Sequence, residues 1–138
     1  MNWFVWALLS AFFAGVTAIL AKVGVQEINS NMATAIRTVV ILIFAWTIAL
    51  LTDTQPLSTI GRRTWIFLVL SGLATGLSWL CYFRALQLGQ ASRVAPVDKL
   101  SVVIAIILAA IFLHERMTWH HYLGGLLIFS GAVVLAYT

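Results

Sequence analysis

Five stretches without Asp, Glu, Lys or Arg run through this chain: Met1–Ala21, Thr38–Thr52, Thr64–Phe83, Leu100–Leu113 and Met117–Thr138. A helix crossing a bilayer needs about 20 mostly apolar residues to traverse a hydrocarbon core of roughly 30 Å. The pattern therefore predicts an all-α, five-helix transmembrane bundle covering residues 1–138. Its helices are expected at about 3–22, 32–51, 64–86, 95–113 and 120–137. Two of the apolar stretches are too short by themselves. At 1.5 Å per residue, Leu100–Leu113 makes about 21 Å and Thr38–Thr52 about 22 Å. Helix 4 is therefore expected to begin near Ala95, with Pro96 in the first turn where a missing N–H is tolerated. Asp98 and Lys99 then lie inside the span, and Arg37 falls within or at the edge of helix 2. Connections of about ten residues or fewer make neighbouring helices antiparallel. Only the link Asp53–Arg63, with Pro56 and Gly61, has plain loop chemistry.

Composition agrees with the pattern. The chain is 62% hydrophobic and 9% charged, with a mean hydropathy of +1.03, whereas a soluble domain carries about 25% charged residues. The net charge of +4 does not indicate a nucleic-acid partner, because the basic residues are scattered and never three in a row. They read as helix-end anchors in a lipid bilayer. The N-terminal segment has no basic flank and an apolar run longer than a signal peptide's core of about 7–15 residues, so it is expected to remain as the first span. Cys81 is expected to be a buried small hydrophobe.

With five antiparallel spans, one side holds Arg62, Arg63 and Arg116 and the other Lys22, Arg37, Arg84, Arg93 and Lys99. This weak bias gives no firm orientation and allows insertion both ways round. The second set is the most informative polar group. Ionisable residues inside spans are costly unless paired or wetted and mark polar pathways. Asp98 and Lys99 are sequence neighbours and are expected to point apart, which leaves Asp98 to meet Arg37 or Arg84 from other helices. The alternative is that Asp98 complements a helix N-terminus while the long cations reach for the interface.

Helix 3 carries two adjacent stripes. Ser71, Thr75, Ser78 and Tyr82 form a polar one; Gly72, Gly76, Trp79 and Phe83 form one of small residues followed by aromatics. Back-bonding hydroxyls explain the first as local structure, and a substrate-facing wall explains it as a site. Gly72-x-x-x-Gly76 permits close approach of another helix. Small residues also stripe helix 1 (Ala7, Ala11, Gly15, Ala18), helix 4 (Ser101, Ala105, Ala109) and helix 5 (Gly124, Gly131). Trp3, Trp6, Trp65, Trp119, Tyr122 and Tyr137 fall at helix ends as interfacial belts. Trp46 and Trp79 do not, and Trp79 with Tyr82 near Arg84 is the stronger candidate for a cavity wall, since aromatic plus cation suits amphipathic metabolites or organic ions. His114, His120 and His121 lack an accompanying intramembrane acid, so no metal is expected. No motif of an enzyme is present, and no cofactor is expected.

The segment Leu86-Gln-Leu-Gly-Gln-Ala-Ser-Arg-Val-Ala-Pro-Val-Asp-Lys-Leu-Ser101 resembles the helix 3–4 junction of EamA-type domains in the drug/metabolite transporter superfamily. So does Leu113-His-Glu-Arg-Met-Thr-Trp119 followed by Gly124-Gly125 and Gly131. His114 stands where Gly is common before that Glu. The resemblance implies export or exchange of small metabolites across a cytoplasmic membrane, with the cavity on helices 1, 3 and 4. Members usually carry two such repeats in inverted orientation, and alternating access needs two halves around a midplane site. It thus implies that this single repeat pairs with a second copy as an antiparallel homodimer. The expected pathway residues are Ser71, Thr75, Ser78, Trp79, Tyr82, Arg84, Asp98, Lys99, Ser101 and Arg37. Rival readings are a non-transporting membrane partner or regulatory subunit, and a passive facilitator.

Overall fold

A computed structural model of the chain describes residues 2–52 and 54–137. It is all-helical, and among the described residues there is no strand. The helices are α1 (Trp3–Gly24), α2 (Ser30–Leu51), α3 (Arg62–Leu88), α4 (Ala91–Asp98), α5 (Ser101–Phe112) and α6 (Trp119–Tyr137), with one 3-10 turn at Leu57–Thr59 between α2 and α3. Because α4 and α5 are nearly continuous, five apolar segments are long enough to cross a membrane: α1, α2, α3, Ala91–Phe112 and α6. The chain is a multi-pass membrane protein, as the apolar pattern requires.

The fourth span departs from expectation in a specific way. It begins at Ala91, after Gln90 at the cap position, and Pro96 is its sixth residue. Proline removes a donor and crowds the preceding turn, which bends or ends a helix. Here α4 ends at Asp98. Lys99 N–H reaches Pro96 O at 3.1 Å, Leu100 N–H reaches Val97 O at 3.0 Å, and Val102 and Val103 N–H reach Lys99 and Leu100 O at 3.0 Å each. These three-residue bonds are a short 3-10 stretch, the usual form of a bend inside a span. Asp98 therefore closes α4; it does not lie in the first turns of the fourth helix.

Residues 23–87 form one compact unit, and residues 1–22 with 88–138 form another. In the first of these, the inward face of α2 carries buried Ser30, Ala33 and Thr34. Arg37, half-buried, continues that face at helical spacing. The inward face of α3 carries Trp79, Phe83 and Leu86, the last two buried. Helix α2 starts at Asn29, whose side chain accepts the Asn31 N–H at 2.8 Å, a helix cap in the usual sense.

In the other unit, α6 packs against both α4 and α5. Gly125 and Ala132 are the buried residues of α6. A Cβ added at Gly125 would meet Ile106 Cδ1 at 3.9 Å, whereas nothing lies within 4 Å of one at Gly124 or Gly131. The packing stripe is thus one residue round from the Gly124/Gly131 pair. Helix α1 buries Ala18 of its expected stripe together with Ala21, while Ala7, Ala11 and Gly15 stay exposed. Among the described residues nothing lies within 4 Å of a Cβ at Gly72 or Gly76 either. Cys81 is exposed on α3, not buried.

At the far end of α5, His114 adopts φ 52°, the left-handed conformation that ends many helices and that glycine adopts most cheaply. The Ala109 carbonyl then receives both the Leu113 N–H at 3.1 Å and the Glu115 N–H at 3.3 Å. Helix α6 opens on Thr118, whose backbone N–H donates to His121 Nδ1 at 3.1 Å. His121 takes the place glutamate holds in a capping box. That contact accounts for one histidine of the cluster, and among the described residues no group of three metal-ligating side chains exists.

Candidate functional site

In the unit of residues 23–87, the sequence places one cation two turns into an apolar helix and one tryptophan away from any helix end. The fold brings the two together. The Arg37 guanidinium carbon lies 4.6 Å from the centroid of the Trp79 ring and 5.3 Å from that of Phe83. Trp79 and Phe83 are four residues apart on α3 and present adjacent rings. Tyr82 is within electrostatic reach of Arg37, and its ring meets Phe83 edge-on with centroids 6.5 Å apart. An aromatic wall with a cation is therefore built, and the cation over Trp79 is Arg37 from α2.

Arg84 has a different task. Its Nη1 donates to Gln87 Oε1 at 2.7 Å. Gln87 Nε2 in turn donates to the carbonyls of Ile28 at 2.9 Å and Val25 at 3.2 Å. The last turn of α3 thereby holds the α1–α2 connection, and the two carbonyls are served where no helix bond is available. Gln87 escaped the sequence reading because an amide that meets a turn some sixty residues away in the chain leaves no local pattern. Of the polar stripe on α3, Ser71, Thr75 and Ser78 are exposed, and the Thr75 hydroxyl donates to the Ser71 carbonyl at 2.9 Å. That is the back-bonding reading.

In the unit of residues 1–22 and 88–138, Lys99 Nζ lies 3.6 Å from Asp98 Oδ2, with side chains 56% and 35% exposed. The neighbours meet because the helix stops between them, where side-chain directions no longer follow helical geometry. Ser101 opens α5 beside this pair and is exposed. Lys22 Nζ donates to the Gly89 carbonyl at 2.8 Å, tying α1 to the turn before α4.

Two open apolar grooves exist away from these residues. One of about 560 Å³ involves Trp46, Leu42 and Ala49 on α2 with Leu57 and Ile60 of the following link. The other, about 520 Å³, runs between α5 and α6 and includes Ile106, Gly125 and Phe129. Trp46 does line a concave surface, a mostly apolar one to which Thr54 and Gln55 also contribute. Within α2 the charged side chain is Arg37, and the buried polar ones are Ser30 and Thr34.

The EamA-like transporter family matches the chain over residues 1–137. A protein of Sinorhizobium sp. named "Uncharacterized transporter in cobO 3'region" is 56% identical over 136 residues, 98% of this chain and 96% of that protein. No solved structure matches the chain.

Proposed function

The chain belongs to the EamA-like transporter family, and from that premise we propose that it is a secondary transporter moving small metabolites or amphipathic organic solutes across the cytoplasmic membrane. Its working form is an antiparallel pair of copies, each supplying one five-span repeat. The observation that carries this reading is Arg37: a cation about two turns inside an apolar span, stacked on Trp79 and Phe83. Charge at such depth is costly, and membrane proteins place it where a solute path needs it. Alternating access needs two halves around one site, and the scant difference in Lys and Arg between the two ends of the spans permits both insertions.

Reconstitution into liposomes tests the transport claim. Saturable uptake of an aromatic solute such as phenylalanine or 3-phenylpropionate, driven by an imposed proton or solute gradient, is the expected result. Flux that never saturates and ignores the gradients identifies a passive facilitator. No flux from a monomeric chain identifies a non-transporting membrane partner. Labelling of both tagged termini from one face of the membrane is expected for the antiparallel pair, and strict one-sided labelling of a single terminus overturns it.

A further inference from the structure

We propose that Arg37 anchors an oxyanion, so that the solute this site takes is an amphipath bearing a carboxylate or phosphate, its apolar body lying beside the half-buried Trp79; the inference rests on the transport reading above and names its substrate class. Arg37 is the eighth residue of α2, about 11 Å along the axis from Ser30, while Trp79 and Phe83 sit about 14 and 8 Å from the end of α3 at Leu88. The guanidinium lies closer to Trp79 than to Phe83. It is therefore held at depth instead of extending past Phe83 to the surface, as a snorkelling side chain does.

At that depth the charge needs a counter-charge. Among the described residues no carboxylate lies within ion-pairing distance of Arg37, and the described ion pair is that of Asp98 with Lys99. No hydrogen-bond acceptor for its N–H groups occurs among the described residues either. Stacking uses the face of the guanidinium and leaves its five edge donors, which match a planar carboxylate or a phosphate two bonds at a time. An organic cation is disfavoured there, because Arg37 already lies over one face of Trp79 and repels like charge.

The oxyanion has two sources, a solute or a lipid headgroup, and binding in nanodiscs separates them. The probes are labelled 3-phenylpropionate, its neutral amide and phenethylammonium, with protein in discs of phosphatidylcholine alone or with phosphatidylglycerol added. Loss of a charge-assisted pair is expected to weaken binding about tenfold or more. The acid should thus exceed the amide by that factor in phosphatidylcholine, and Arg37→Gln should abolish the preference while Arg37→Lys keeps part of it. Absence of that preference, together with phosphatidylglycerol that stays bound to the purified protein and is lost in Arg37→Gln, assigns the oxyanion to lipid. Acid and amide binding alike, with lipid retention indifferent to Arg37, overturns the proposal. Should Arg37→Gln fail to fold, the acid-to-amide ratio on the unaltered chain and on Arg37→Lys decides. A chain that binds the acid but moves nothing fails the transport reading alone. One that carries neutral amphipaths with no preference for the acid fails this inference alone.

Discussion

Gln87 offers the sharpest test of how this fold is held. Its amide makes three bonds at once: it donates to the Ile28 and Val25 carbonyls at 2.9 and 3.2 Å and accepts from Arg84 at 2.7 Å. Gln87→Met keeps the length and apolar stem of the side chain while deleting all three. Each amide-to-carbonyl bond contributes about 1 kcal/mol net. The Arg84 contact is exposed and is worth about 0.5 kcal/mol after solvent screening. The loss is therefore about 2 to 2.5 kcal/mol, concentrated in the α1–α2 connection. Gln87→Glu separates the terms, since a carboxylate keeps the Arg84 partner but turns acceptor against acceptor at Ile28 and Val25. It should be at least as damaging as Gln87→Met even though its bond to Arg84 is stronger. Equilibrium unfolding in mixed micelles, followed by far-ultraviolet circular dichroism, reads both variants. Protease susceptibility between Val25 and Asn29 reports the local release. If Gln87→Met stays within about 0.5 kcal/mol of the unaltered chain, a span normal for surface substitutions, the clamp does not hold the turn and the reasoning fails.

Two further variants probe backbone and packing. His114 at φ 52° carries the strain of a left-handed L-residue, about 1 to 2 kcal/mol, of which glycine's greater unfolded freedom takes back about half. His114→Gly should therefore raise stability by about 0.5 to 1 kcal/mol and His114→Val lower it by at least about 1 kcal/mol, read in the same unfolding assay. At Gly125 a methyl would make ordinary contact with Ile106 at 3.9 Å, so Gly125→Ala should be neutral or stabilising by up to about 1 kcal/mol from helix propensity. Gly125→Leu should cost about 1 to 3 kcal/mol by forcing α5 from α6, and equal melting of the two variants would show that these helices are not packed through Gly125.

The spans were legible because membrane thickness fixes helix length, and the same arithmetic placed Arg37 inside α2. The chemistry of its contact was half legible: Trp79 stood out as an aromatic away from helix ends, but its cation comes from α2, and a sequence does not say which face of one apolar helix meets another. The small-residue stripe of α6 departs from expectation for a related reason. Inside a bilayer an apolar side chain gains little by choosing protein over lipid, so burial is set by shape, and α6 settles on Gly125 and Ala132 in place of Gly124 and Gly131. Cys81 is exposed on the same grounds. The start of α4 was placed late because length demands only a minimum span, while Gln90 and the polar turn after it supply an earlier start. With the start moved back, Pro96 passes from a harmless first-turn position to the helix interior, and the bend follows.

That bend sorts the ionisable residues. Spanning structures tolerate irregular backbone where its peptide groups find partners, and around the break Lys99, Leu100, Val102 and Val103 N–H do so through three-residue bonds. Ending α4 at Asp98 sets a carboxylate against the negative end of that helix, an unfavourable placement. Lys99 answers it from the next residue at 3.6 Å, so this acid is balanced by its own neighbour and both side chains keep contact with the surroundings. Lys22 is likewise spent on the Gly89 carbonyl and Arg84 on Gln87. Arg37 has two aromatic rings and no anion among the described residues. A charge whose partner is built into the fold reports on folding; the half-buried Arg37, with no counter-ion among the described residues, is the charge on which the oxyanion proposal rests.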